Sequence, residues 1–114
     1  MAVPLYQAKA ELFRTLGHPA RIRILELLSE REHAVHELLT QIAVEPSNLS
    51  QQLAVLRRAS LVVSRRQEGD VLYALSVPEV RELLLAARQV MGRIAEAQSE
   101  LRSALALEAG QRTR

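Results

Sequence analysis

The apolar residues in the first 45 positions of this 114-residue chain recur three or four places apart, which predicts helices. The repeats mark a first helix over about residues 5–16, a second over 19–30 and a third over 33–42. Gly17 ends the first helix, because glycine suits a helix C-terminus, and Pro19 fits the first turn of the second. Three short helices separated by tight turns are therefore predicted.

The fourth predicted helix, over about residues 46–59, has two unlike faces. Leu49, Leu53 and Leu56 form a single apolar seam, while the side chains between them are mostly amides and hydroxyls. The major groove of B-DNA accepts an α-helix, and its base edges offer donors and acceptors to such side chains. An ordinary solvated surface is the alternative. The residues predicted to contact bases are Ser47, Asn48, Ser50, Gln51 and Gln52.

A β-hairpin with basic residues is predicted directly after this helix. Residues 61–66 and 71–75 have strand character, and the segment 67–70 between them has a turn composition. Residues 46–66 carry four arginines and no acidic residue, whereas residues 1–45 and 78–108 each sum to a charge of −1. Such a basic segment suits a polyanion. The residues predicted to neutralise DNA phosphates are Arg57, Arg58, Arg65 and Arg66.

The last predicted helix opens near Pro78, reaches about Glu108 and carries an unbroken apolar stripe. A lone helix of this kind exposes too much apolar surface, so the first and last helices are predicted to pair with a second copy of the chain. Residues 1–109 are expected to form one winged-helix DNA-binding and dimerisation domain, followed by a flexible tail over 110–114. The predicted interface residues are Leu5, Leu12, Leu83, Ala87, Val90, Ile94 and Leu101.

Composition argues against several other classes of protein. The chain has no cysteine, which excludes disulfides and thiolate metal sites. Asp70 is the sole aspartate, and no Ser/His/Asp set or glycine-rich phosphate loop can be proposed, so the chain is not expected to be an enzyme or to carry a cofactor. It also lacks a long apolar run and a secretory signal pattern, and a cytoplasmic, membrane-free protein is expected.

Three blocks of the chain resemble the ArsR/SmtB family of bacterial repressors. Residues 16–25 (LGHPARIRIL) resemble the family's second-helix signature, residues 44–57 (VEPSNLSQQLAVLR) its recognition helix, and residues 61–75 its wing. The resemblance covers about residues 5–100. It implies a mainly α winged helix-turn-helix with a small β-hairpin, in the order four helices, two strands, one helix. It also implies a homodimer that represses transcription from operator DNA until an inducer binds.

The chain departs from the sensor branches of that family. In one metal-sensing branch the third helix carries cysteines, and Ala34 and His36 occupy those positions here. Another branch uses Asp and His ligands on the last helix, but residues 78–108 contain neither. Persulfide-sensing relatives need paired cysteines, which are absent. Both familiar metal sites are therefore predicted to be missing, and the inducer is unknown.

Two alternatives to this interpretation stay open. His33 and His36 are three apart on the predicted third helix, a spacing that places two imidazoles on one face, so a metal-responsive repressor is one of them. The other is a winged-helix module that contacts only proteins. The sequence leaves open the operator, the regulated genes and whether the protein represses or activates.

Three residues near the second helix have more local interpretations. His18 lies in the turn before this helix and is expected to act as a structural cap or to make a turn contact rather than to act as a ligand. Arg21 and Arg23 can contact DNA phosphates, or can pair within the chain with Glu11 or Glu26.

Overall fold

The computed structural model describes residues 3–112 and contains the predicted helices and a small antiparallel sheet. The architecture is a winged helix-turn-helix, which confirms the fold class predicted from the sequence. No helix among the described residues is both long and apolar enough to cross a membrane. The elements are α1 (Leu5–Leu16), α2 (Pro19–Glu30), β1 (His33–Ala34), α3 (Val35–Gln41), α4 (Pro46–Arg58), β2 (Val62–Gln67), β3 (Asp70–Leu75) and α5 (Glu79–Arg112).

The chain divides into two compact units, the first ending at Arg81 and the second beginning at Glu82. The first unit holds the core, in which α4 contacts α2 and β2, and α2 contacts β3. The apolar seam of α4 is fully buried there: Leu49 and Leu56 are 0% exposed and Leu53 is 2% exposed. This burial seats α4 and turns its polar face outward. The second unit is the remainder of α5.

Local hydrogen bonds explain where α2 begins and α4 ends. The imidazole Nδ1 of His18 accepts a hydrogen bond from the backbone N–H of Ala20 at 3.2 Å, which makes His18 the structural cap that was expected. At the C-terminal end of α4, the N–H of Leu61 donates to the carbonyl of Leu56, and the N–H of Ser60 donates to the carbonyl of Arg57. Ser60 has a φ of 63°, so α4 ends in a Schellman motif.

The sheet has the order β1-β3-β2, and the hairpin β2–β3 is the wing. Its two-residue loop, Glu68 and Gly69, has φ values of 51° and 86°. Positive φ at both positions is typical of a type I′ turn, whose twist matches the twist of paired strands. The hairpin predicted from this turn sequence is confirmed.

Two boundaries differ from the prediction. His33 and Ala34 are not the start of the third helix: they are extended and pair with Tyr73 and Leu72 of β3. The helix begins at Val35, because the carboxylate of Glu37 accepts the N–H of Ala34 and stabilises the first turn. At the far end α5 continues to Arg112, so part of the predicted tail is helical, while residues 113–114 lie outside the described residues.

Candidate nucleic-acid interface

The polar face of α4 carries amide and hydroxyl side chains, most of which are exposed. Successive helical residues are separated by about 100°, so Ser47 and Gln51 lie opposite the apolar seam and Ser50 lies on one flank. These three side chains are exposed, and Asn48 on the other flank is half-buried. The structure therefore brings four of the five predicted base-contacting residues to one accessible surface.

Gln52 is the exception, and its predicted role as a base contact is corrected by the structure. The residue is only 8% exposed, because it lies three positions after Leu49 and four before Leu56 in the buried seam. Its Oε1 accepts a hydrogen bond from Nε of Arg21 at 2.7 Å, and its Nε2 donates to Oδ1 of Asn48 at 2.9 Å. Both ends of the amide are thus engaged inside the protein.

Arg21 itself links three helices. Besides the bond to Gln52, its Nη1 donates to the backbone carbonyl of Thr15 in the last turn of α1 at 3.1 Å. The intramolecular interpretation of Arg21 is therefore the observed one, although its partners are not the predicted acids. Arg23 does pair with Glu26, with Nη1 and Oε1 3.4 Å apart on an exposed surface.

The last turn of α4 ends in two exposed arginines, Arg57 and Arg58. Neither forms an ion pair among the described residues. Arg57 also lines an open groove with the hydroxyl-bearing residues Ser60, Ser64 and Ser76. These two guanidinium groups therefore remain available to an anion.

The two wing arginines differ, although they are neighbours on β2. Successive strand residues point to opposite faces of the sheet. Arg65 donates from Nη2 and Nε to the carboxylate of Glu32 at 2.5 and 3.2 Å, and from Nη1 to Oε1 of Gln67. Arg66 is exposed and has no ion pair among residues 3–112. No local sequence pattern indicates the contact between Arg65 and Glu32, since the two residues are 33 positions apart.

His33 and His36 do not share a helix, so the geometry assumed for a metal pair is wrong. His33 belongs to β1, is 3% exposed, and has Nδ1 2.9 Å from the carbonyl oxygen of Arg31. His36 is exposed on α3, with Nε2 3.7 Å from Oδ2 of Asp70. In the described part of the chain, no three His, Cys, Asp or Glu side chains lie close enough to hold a metal ion.

Glu37 anchors the turn between β1 and α3. Its Oε2 accepts from Nη2 of Arg31 at 2.7 Å, and its Oε1 accepts from the N–H of Ala34 at 2.9 Å. The hydrogen bond from Arg31 is the main reason that the pKa of Glu37 is lowered to about 2, and the Ala34 bond adds to it. This carboxylate therefore stabilises the junction of α3 with β1, the short strand that pairs with the wing strand β3.

The residues predicted to form a dimer interface are largely accessible in the single chain. On α1, Leu5 is 69% exposed and Leu12 is half-buried. On α5, Leu83 is half-buried, and the later predicted positions Ala87, Val90, Ile94 and Leu101 are exposed. So many exposed aliphatic side chains are unusual for a surface that stays in water.

Comparison with known proteins finds relatives among bacterial transcriptional regulators. The model of the family described as "Bacterial regulatory protein, arsR family" matches residues 18–64. The HTH-type transcriptional regulator Rv0081 of Mycobacterium tuberculosis is 55% identical over 92 residues, which cover 80% of this chain and 81% of that protein. Its crystal structure aligns with a TM-score of 0.78 at 52% identity, over 85% of this chain and 98% of that one.

Two more distant relatives carry informative names. The biofilm growth-associated repressor of Xylella fastidiosa is 39% identical over 75 residues, or 66% of each chain. The homodimeric winged helix-turn-helix DNA-binding domain Mb0332 of Mycobacterium bovis aligns with a TM-score of 0.72 at 26% identity. That alignment covers 82% of this chain and 86% of the other.

Proposed function

Because the chain belongs to the arsR family of bacterial regulatory proteins, we propose that two copies of it bind a partly palindromic operator and repress transcription. The chain is a winged-helix DNA-binding regulator of transcription and not an enzyme.

The exposed polar face of α4 is the single observation that carries the DNA contact. Ser47, Asn48, Ser50 and Gln51 surround the N-terminal half of this helix, the part of a recognition helix that meets base edges. Arg57 and Arg58 at its end, together with Arg66 on the wing, contact backbone phosphates and set the register of the protein on the duplex. Arg65 is excluded from this set because Glu32 already compensates its charge.

The homodimer rests on the exposed aliphatic residues of α1 and α5. Leu5, Val90, Ile94 and Leu101 are each more than half exposed in the single chain, and pairing with a second copy buries them. The relative Mb0332 is a homodimer, which favours the same assembly here. A dimer places two α4 helices in successive major grooves, about one helical turn apart.

The release signal is proposed to differ from the family's familiar metal sensors. The chain has no cysteine, and the sequence of α5 contains neither Asp nor His. Thiolate sites and the usual ligands of the last helix are therefore unavailable, and the proposed repressor responds to an inducer that these groups do not hold.

Selection of binding sites from a random duplex pool by the purified protein tests this function. We expect enriched sites with two related halves, and Gln51→Ala should weaken binding to them by about 1–3 kcal/mol and relax the preference at one position of each half. Gln89→Ala is the matched control, since this exposed amide belongs to α5 and is not among the residues proposed to contact DNA. A protein-binding module predicts no enriched site, and that outcome would refute the proposal.

A further inference from the structure

Two hydrogen bonds link Arg21, Gln52 and Asn48, and the chemistry of these side chains fixes which group donates and which accepts in each bond. An arginine guanidinium carries only donors, so the atom of Gln52 that faces Nε of Arg21, 2.7 Å away, must be the carbonyl oxygen Oε1. The amide of Gln52 then points its NH₂ group toward Asn48. Since that group only donates, the atom of Asn48 that receives it, 2.9 Å away, must be Oδ1.

Burial keeps this arrangement in place. Gln52 is 8% exposed, and no fully buried side-chain nitrogen or oxygen among the described residues lacks a hydrogen-bond partner. Rotating the Gln52 amide by half a turn would set its NH₂ against the guanidinium and leave a buried donor unpaired, which is unfavourable. Arg21 is itself fixed at a second point by the carbonyl of Thr15, at 3.1 Å.

We propose that Arg21 is a specificity-determining positioning residue, which acts through Gln52 to make Asn48 present its NH₂ group, and not its oxygen, to the major groove. The inference rests on the proposed function, in which Asn48 contacts a base. With Oδ1 engaged by Gln52, the remaining Nδ2 forms no hydrogen bond among the described residues and serves as a donor. Asn48 therefore reads an acceptor-rich base edge.

This polarity changes which base Asn48 favours. Guanine presents two acceptors in the major groove, O6 and N7, whereas cytosine presents the N4 amino donor. A free asparagine contacts adenine through both ends of its amide, which requires Oδ1 to accept from the base. The network turns this oxygen toward Gln52 and the NH₂ group outward, so we expect guanine to be favoured over cytosine about tenfold at the base pair that Asn48 reads, near the lower end of the range for a bidentate contact.

The variant Gln52→Glu reverses the polarity with almost no change in shape. The new carboxylate still accepts from Arg21, as an ion pair, but it cannot donate to Asn48. Asn48 then turns its NH₂ inward to the carboxylate and its oxygen outward. At that single base pair we expect the preference to change from an acceptor edge to a donor edge such as the cytosine N4 group, while other positions of the site keep their preferences.

The experiment compares binding-site selection for the wild type, Asn48→Ala, Gln52→Glu and Arg21→Met. Asn48→Ala identifies the base pair by abolishing its preference. Arg21→Met, which retains the aliphatic stem, should relax the same pair because the Gln52 amide is no longer fixed. Thermal unfolding and the preferences at the other positions show whether each variant keeps its fold. If the role of Arg21 were merely structural, Arg21→Met would lower the stability without a change confined to the base pair that Asn48 reads.

A measurement without DNA keeps the inference testable if Gln52→Glu fails to fold. In NMR spectra of the wild-type protein, we expect the side-chain NH₂ of Gln52 to exchange slowly with water and that of Asn48 to exchange fast. Two results overturn the inference: a Gln52 NH₂ that exchanges as fast as that of Asn48, or an unchanged preference at the Asn48 pair in a folded Gln52→Glu variant. If the wild type selects no site at all, the proposed function fails instead.

Discussion

The recognition helix α4 and the wing β2–β3 both carry a pair of arginines, but only the helix leaves both of its pair free. Arg57 and Arg58 follow a helix segment without any acidic residue, so nothing nearby in sequence competes for them. On the wing, β1 lies beyond β3 and brings Glu32 within reach of Arg65. The difference shows that a count of basic residues overestimates the charge offered to DNA wherever tertiary structure supplies a carboxylate.

The largest expected difference between the two regions is in stability. Leu49→Ala removes a side chain that is 0% exposed and should lower the free energy of unfolding by about 2–5 kcal/mol, since it leaves a cavity under α4. Val63→Ala on the wing, at 51% exposure, should change it by no more than about 0.5 kcal/mol. Urea denaturation at one fixed protein concentration measures both. Equal effects would mean that α4 is seated no more firmly than the wing.

The next difference is in the salt dependence of DNA binding. Arg58→Ala should make the negative slope of log K against log salt shallower by about 0.9 per subunit, because one phosphate contact is lost. Arg66→Ala should behave alike, whereas Arg65→Ala should change the slope much less, since the Glu32 carboxylate already compensates Arg65. Fluorescence anisotropy across a salt series gives these slopes.

Glu32→Gln sharpens this test of the wing, because it frees Arg65 from its carboxylate. In that background Arg65→Ala should make the salt slope shallower by about as much as Arg66→Ala does. If Arg65→Ala has the full effect even with Glu32 present, Arg65 releases Glu32 on DNA, and the contrast between the two wing arginines disappears.

The smallest expected effect is a loss of folded-state stability in acid that comes from Glu37, at the junction of β1 and α3. The folded-state pKa of Glu37 is about 2, below the ordinary value of 4.5, so its ionised form stabilises the folded protein. This contribution is complete above pH 4.5 and is lost as the pH falls toward 2. Glu37→Gln should therefore flatten the fall in melting temperature between these limits. Glu45→Gln is a control, and an equal flattening there would contradict the assignment to Glu37.

The sequence predicted the helices, the turn of the wing and the exposed face of α4 because each depends on local patterns. The seam of Leu49, Leu53 and Leu56 fixes the orientation of α4 by spacing alone. A strand of two residues, such as β1, is too short to show a period, so the sequence pattern predicts these residues as part of the third helix. What local patterns cannot supply is a partner from another element.

Gln52 and Arg65 illustrate that limit. An amide at the edge of an apolar seam is compatible with water, DNA or a buried partner, and only the arrival of Arg21 from α2 decides among them. Arg65 likewise has an acidic partner only because the register of β3 with β1 brings residues 33 positions apart together. The ion pair and the amide orientation therefore come from tertiary structure.

The short strand β1 also bears on how the protein avoids self-association through its sheet. The edges of this sheet are β1 and β2, and an open edge is a template on which another chain can add a strand. Two residues offer too few backbone groups for such addition, and the six-residue β2 carries Arg66, whose uncompensated charge repels a second copy of the same edge. The sheet therefore resists aggregation even where no nucleic acid covers it.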